Sequence, residues 1–314
     1  MKTLGDTDLS IFPLNLGGNV FGYTADEAES HLVLDCFAEL GGNFIDTADS
    51  YSSWVPGNSG GESETIIGDW HSKRGNRDAL VIATKVSQHP DRKGLSAANV
   101  KAAAEDSLKR LQTDHIDLYY AHFDDEDTPL EETLAAFDEL VKEGKVKYVA
   151  GSNYSPHRIR EALAIQDREG FARWVALQPH YNLVERDEFE NGGRRQIAEE
   201  ENLAVIPYFS LAKGFLTGKY RSKDEPGDSP RAGSALEYLD DKGRRVLEVL
   251  DDVAAAHDVP VAAISIAWLN AQPTVGAALA SARTIEQLEP LMAGATLELE
   301  TEELDRLDAA SRPA

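Results

Sequence analysis

The chain has 314 residues, more than a typical single domain, and 42% hydrophobic content, enough for a sizeable core. Acidic residues outnumber basic ones 55 to 31, giving a formal charge of −24 and a pI near 4.6. Such a surface repels nucleic acid and anionic lipid, so neither is an expected partner.

Residues 2–12 read as a small hairpin turned at Gly5-Asp6, and Leu14 to Gly17 as a first buried strand. Residues 25–40 have helical spacing and stop at Gly41-Gly42. Asn43 to Asp46 is a strand, followed by a loop rich in Gly and Ser and a helix over 62–72. The apolar run 80–84 ends at Lys85. Ser96 caps a helix with the stripe Val100, Ala104, Leu108 and Leu111, and Ile116 to Tyr120 forms a strand ending at Ala121-His122.

Helical spacing returns over 130–141 and closes at Gly144, before a strand at 146–150. Ser155-Pro156 opens a helix with Ser as N-cap and Pro at its first position. Strands at 174–177 and 203–207 flank a helix over 191–201. A long excursion over 211–235 has no clear period. Helices at 237–257 and 260–271, a strand at 277–280, a helix capped by Thr284 and an acidic helix at 301–311 complete the chain.

Eight short strands separated mostly by helices predict parallel pairing and closure into one α/β domain over residues 1–314. The expected fold is a (β/α)8 TIM barrel with a short N-terminal hairpin and a C-terminal helix. A doubly wound sheet would want a glycine fingerprint, and Gly17-Gly18-Asn19-Val20-Phe21-Gly22 has the wrong spacing for G-x-G-x-x-G. Cys36 is the one cysteine, on the apolar face of the first helix, so no intramolecular disulfide forms. The opening residues lack the apolar segment of a signal peptide, and no apolar run of about 18 residues occurs, so a cytoplasmic location is expected.

Asp46 and Tyr51, Lys85, and His122 stand at or just after three consecutive strands, whose C-terminal ends converge in such a barrel. A Lys ammonium near Tyr51 is expected to lower the phenol pKa, with Asp46 holding the Lys charged. His122 can hydrogen-bond the phenol or an incoming carbonyl. Together they suit protonation of a carbonyl oxygen as hydride reaches its carbon. A glycosidase using Asp46 with a second carboxylate, or an aldolase using Lys85 as Schiff-base nucleophile, are rival readings on the same fold.

With these residues in view the chain resembles an aldo-keto reductase over nearly its whole length. Phe44 to Tyr51, Ile82 to Lys85, Tyr119 to His122, Gly144-Lys145-Val146 before Gly151-Ser152-Asn153, and Leu177 to Asn182 each resemble a family motif. The resemblance implies a catalytic tetrad of Asp46, Tyr51, Lys85 and His122. It implies hydride transfer between NADPH and an aldehyde or ketone, with Tyr51 as acid and NADH as the alternative cofactor. Ser152, Asn153 and Gln178 would hold the nicotinamide carboxamide, and Tyr208 would stack on its ring. Leu211, Gly214 and Lys219 belong to a segment resembling the pyrophosphate loop, in which Phe209-Ser210 replaces the usual Ser-Pro.

Ser281, Arg283 and Gln287 resemble the adenosine-phosphate segment, with Arg283 facing the 2′-phosphate. A guanidinium and a helix N-terminus both suit a phosphate. Thr284 and Gln287 also read as a capping box. Phe21, Tyr23, Trp54 and Phe123 are the expected walls of a pocket for a small carbonyl substrate. No metal site is expected. The potassium-channel beta-subunit branch, whose members bind NADPH and partner a channel, is the competing resemblance.

Overall fold

The computed structural model describes residues 1–224 and 231–312, so residues 225–230 of the expected excursion lie outside the described part. Eight parallel strands form one curled sheet: β1 (Leu14–Gly17), β2 (Phe44–Asp46), β3 (Val81–Val86), β4 (Ile116–Ala121), β5 (Val146–Ser152), β6 (Trp174–Gln178), β7 (Ala204–Val205) and β8 (Ala278–Ala280). They pair in chain order, and β8 pairs with β1. Between β7 and β8 the ring closes through isolated backbone bonds: Val205 N to Thr274 O (2.8 Å), Gly276 N to Val205 O (3.0 Å) and Leu279 N to Pro207 O (3.1 Å). The expected barrel is thus present, with the hairpin Lys2–Thr3/Ser10–Ile11 at its foot and a terminal helix, Thr301–Ser311.

Successive side chains of a strand face opposite sides, and here that alternation divides two cores. Phe44, Val81, Ala83, Leu118, Tyr120, Ala150, Ala176, Ile206, Ala277 and Leu279 fill the barrel with the hairpin's Leu4, Leu9 and Ile11 as a plug. Ile45, Ile82, Tyr119, Val149 and Leu177 face outward against the helices. Extending the inner parity toward the C-terminal ends reaches Asp46, Lys85, His122, Ser152, Gln178, Tyr208 and Ser281. The hydrophobic alternation that fills the barrel therefore also aims these polar side chains at its rim.

The first three barrel helices are α1 (Glu27–Glu39), α2 (Glu62–Arg74) and α3 (Ala97–Leu111). Two local expectations fail. The helix predicted over 191–201 is shorter, Arg194–Glu200, because it starts after Gly193 at φ 94°, and a separate turn of helix, Asp187–Glu190, precedes it unforeseen. The Thr284–Gln287 capping box does not form: the Gln287 side chain accepts from Arg283 N instead (3.0 Å), and the Thr284 side chain makes no cap bond. No single helix among the described residues is long and apolar enough to cross a membrane.

Candidate active site

The turn after β2 is fastened to β3. Thr47 N donates to Ala83 O (2.8 Å) and Asp49 N to Lys85 O (3.1 Å), so Asp46 and Tyr51 are held on either side of the Lys85 side chain. Lys85 is fully buried, and its three ammonium hydrogens match three acceptors: Asp46 Oδ2 (2.5 Å), Thr47 O (2.8 Å) and Tyr51 Oη (3.1 Å). Because the ammonium donates to the phenol oxygen, the phenol hydrogen is directed elsewhere. Among the described residues its one acceptor, Asp46 Oδ2, is distant at 3.4 Å. Gln178 Nε2 donates to Asp46 Oδ1 (2.9 Å), so both oxygens of this buried carboxylate are engaged.

The electrostatics correct one expectation. Burial, then the charge of Asp46 and its hydrogen bond, hold the Tyr51 phenol well above its ordinary pKa. Lys85 does not overcome them, and burial lowers Lys85's own pKa. Tyr51 therefore keeps its proton across the neutral range, as an acid must. Burial and then the Lys85 charge push His122 well below its ordinary pKa, so its imidazole is neutral. His122 does not hydrogen-bond the phenol: the two rings meet edge-on at 6.1 Å, and buried His122 Nδ1 has no partner among the described residues.

The expected carboxamide residues form one chain. Ser152 Oγ donates to Gln178 O (2.9 Å), Asn153 Nδ2 to His122 O (2.9 Å), and Tyr208 Oη to Asn153 Oδ1 (3.0 Å). Asn153 departs from strand geometry with φ 59°. Five further non-glycine residues of this rim, Ser52, Ser87, Phe209, Ala212 and Lys213, also have left-handed or otherwise positive φ. Such strain collects where surrounding structure over-determines a site. Leu211, Gly214 and Lys219 lie together, with Leu211 O accepting from Gly214 N (2.8 Å) and Gly214 at φ 99°. Phe209, in place of the usual Ser, takes φ 53°, and its carbonyl is held by Asn182 Nδ2 (2.9 Å).

Ser281 Oγ donates to Asn19 Oδ1 (2.7 Å), joining the β8 and β1 ends. Arg283 stands just before the 12-residue helix Ile285–Thr296, and its guanidinium makes no hydrogen bond or ion pair among the described residues. Arg231 is close enough for the Arg283 charge to act on it, after burial, in lowering its pKa. Two neighbouring guanidiniums in so acidic a chain fit an anionic ligand. Arg231 gave no signal in the sequence, because it lies within the aperiodic excursion over 211–235.

Of the expected pocket walls, Tyr23, Trp54 and Phe123 are exposed aromatics, whereas Phe21 is fully buried in the outer core. Tyr23 meets Trp54 at 5.8 Å and Trp54 meets Tyr51 at 6.2 Å; on the other side Phe123 lies 4.9 Å from His122. An aromatic arc thus surrounds the phenol. His180, unassigned from sequence, stacks on Tyr208 at 5.2 Å and 13°. The inner parity of β6 through Ala176 and Gln178 would have pointed to it.

Fold and site define a (β/α)8 protein with a buried Asp–Lys pair serving a rim tyrosine. The family model described as "Aldo/keto reductase family" matches residues 13–312, and the chain belongs to that family of oxidoreductases, which generally use NAD(P)H. It is 33% identical to Uncharacterized oxidoreductase YrpG of Bacillus subtilis, covering 97% of this chain and 94% of that protein. It is 30% identical to Protein tas of Escherichia coli, covering 96% and 95%. It is 31% identical to a Probable voltage-gated potassium channel subunit beta of Arabidopsis thaliana, covering 93% and 89%.

Proposed function

We propose that this protein reduces an aldehyde or ketone to an alcohol with NADPH, using Tyr51 as general acid. The observation that carries this reading is the three-way Lys85 contact. It fixes the phenol oxygen, leaves the phenol hydrogen only a long 3.4 Å bond to Asp46 Oδ2 that a substrate carbonyl can replace, and is itself anchored by Asp46. Neutral His122 beside it can orient that carbonyl. Ser152, Asn153, Gln178 and Tyr208 would hold the nicotinamide end of the cofactor; Leu211, Gly214 and Lys219 its pyrophosphate; and Ser281, Arg283 and Gln287 its 2′-phosphate end. Bound NADPH supplies the hydride. The arc of Tyr23, Trp54 and Phe123 favours a small carbonyl compound with a flat apolar body. A cytoplasmic location accords with this substrate class and cofactor.

The test is NADPH oxidation over a panel of aryl and aliphatic aldehydes by wild type and Tyr51→Phe, with NADPH binding followed by quenching of Trp fluorescence. Loss of a general acid is expected to cost about 10²–10⁴-fold in kcat/KM while NADPH affinity is retained. Unchanged turnover in the variant overturns the assignment. The likeness to a channel beta subunit supports a second reading, an NADPH-binding partner protein with little turnover. Tight NADPH binding without reduction of any panel member would favour it.

A further inference from the structure

Asp49 is a buried acid beside the site that the proposed mechanism does not use. Asp49 lies two residues before Tyr51, its N–H bonded to Lys85 O, and only 1% of its surface is exposed. Neither carboxyl oxygen has a well-formed hydrogen bond among the described residues; the Ser50 and Ser87 backbone N–H groups favour its charged form, but less than burial opposes it. The neighbouring cations are already matched: Lys85 by Asp46 at 2.5 Å, and Arg110 of α3 by buried Glu64 of α2 at 2.6 Å. Glu64 also accepts from Thr84 Oγ1 at 2.5 Å, which fixes it behind Lys85.

The charged and titratable groups around Asp49 come from every packed element: Asp46 and Tyr51 from its own segment, Lys85 from β3, Glu64 from α2, Arg110 and Asp106 from α3, and Tyr119 from β4. His89 is brought in through Gly60, where an added Cβ would lie 2.8 Å from the His89 ring and 3.2 Å from Asp49 O. Two balanced ion pairs thus enclose a third, unmatched carboxyl. A buried carboxylate whose own ion-pair partner is missing is costly, and protonation can neutralise it.

We infer that Asp49 is a positioning residue acting through Lys85: it sits as a neutral acid behind the Lys85–Tyr51 pair and, on ionising, weakens Tyr51 as a proton donor. Burial and then the Glu64 charge agree, pushing its pKa up to about 8. The ionised carboxylate would hold the phenol proton more firmly and Lys85 more fully charged, the direction in which Asp49 acts on both groups. Carbonyl reduction should then slow as pH rises through about 8, before Tyr51 itself titrates.

This inference rests on Tyr51 being the acid, so the experiment has two arms. In the first, kcat/KM for NADPH-dependent reduction is measured against pH for wild type and Asp49→Asn, which mimics the neutral acid. The ratio of variant to wild type should climb through about pH 8, where Asp49 titrates. A ratio independent of pH overturns the inference.

The second arm needs no turnover: unfolding midpoints of the same two proteins across pH. An acid whose folded pKa is raised binds its proton more tightly when folded. Its contribution is therefore fully present below the unfolded value of 3.8 and is lost progressively until about 8. The advantage of Asp49→Asn over wild type should grow from pH 5 to pH 8 and then level off, at about the two values the titration spans. Parallel midpoint curves mean that Asp49 is already ionised and overturn the inference. If the midpoints diverge as expected while Tyr51→Phe retains turnover, the acid assignment has failed and the neutral state of Asp49 has not. Loss of the carboxylic-acid C=O infrared band in Asp49→Asn at pH 7 is the expected spectroscopic mark.

Discussion

At the residue scale, the site is governed by what each cation is matched with. Lys85 has all three hydrogens engaged, so it is a fixed positive point that orients a phenol. Arg283 is the opposite case, a guanidinium with no hydrogen bond or ion pair among the described residues, beside a helix start and near Arg231. That arrangement leaves its donors for a ligand, and a phosphate monoester would take them bidentately. Arg283→Ala is therefore expected to weaken NADPH about 10–100-fold, the cost of roughly 1.5–3 kcal/mol for a charged hydrogen bond, and to leave NADH nearly unchanged. Titration of both cofactors by Trp fluorescence measures this, and equal losses would show that Arg283 does not read the 2′-phosphate. The convergence of Asp46, Tyr51, Lys85 and His122 at one rim was legible in the sequence because it needs only strand ends and residue types. The sign of the Tyr51 shift was not, since it depends on burial, and on Asp46 standing nearer in effect than Lys85.

At the element scale, helices α2 and α3 brace the site from behind. They meet at Gly68, where an added Cβ would lie 2.2 Å from Arg110 O and 2.8 Å from Leu111 C. These are backbone atoms of a neighbouring helix, which cannot step aside singly. Gly68→Ala would gain about 1 kcal/mol of helix propensity. The overlap is expected to exceed this, giving a net loss of about 1–3 kcal/mol in urea unfolding. A variant as stable as wild type would show that the two helices can part freely. Since α3 carries Arg110 and α2 carries Glu64, the same change should loosen the pair behind Lys85.

Most of these elements were legible to within a few residues, because a buried barrel strand and an amphipathic helix both write strong periods. What failed was local. The late start of the Arg194–Glu200 helix depends on one left-handed residue, Gly193, and Thr284 lost its box because Gln287 found the Arg283 N–H. His180 was legible only by extending the Ala176–Gln178 alternation past the end of its strand, and its stacking on Tyr208 leaves no signal of its own.

At the scale of the whole molecule, the charge of −24 is spread over 12898 Å² of surface, or about 540 Å² for each net charge. Net charges so distributed stand roughly 23 Å apart, which lies between the Debye lengths of about 30 Å at 0.01 M salt and about 10 Å at 0.1 M. Self-repulsion should therefore act at the lower ionic strength and be largely screened at the higher. The surface ion pairs lost to screening, such as Lys73–Glu27 with both side chains more than half exposed, are each worth only about 0–1 kcal/mol, so relief of repulsion should dominate. The urea midpoint at pH 7 is expected to rise between 0.01 and 0.1 M KCl and then to flatten. A midpoint that keeps climbing toward molar KCl would instead mark a surface adapted to high salt, beyond what screening supplies. A curve without any rise would mean that the acidic excess is already neutralised locally, leaving the preference for Arg over Lys (18 against 13) as a matter of composition alone.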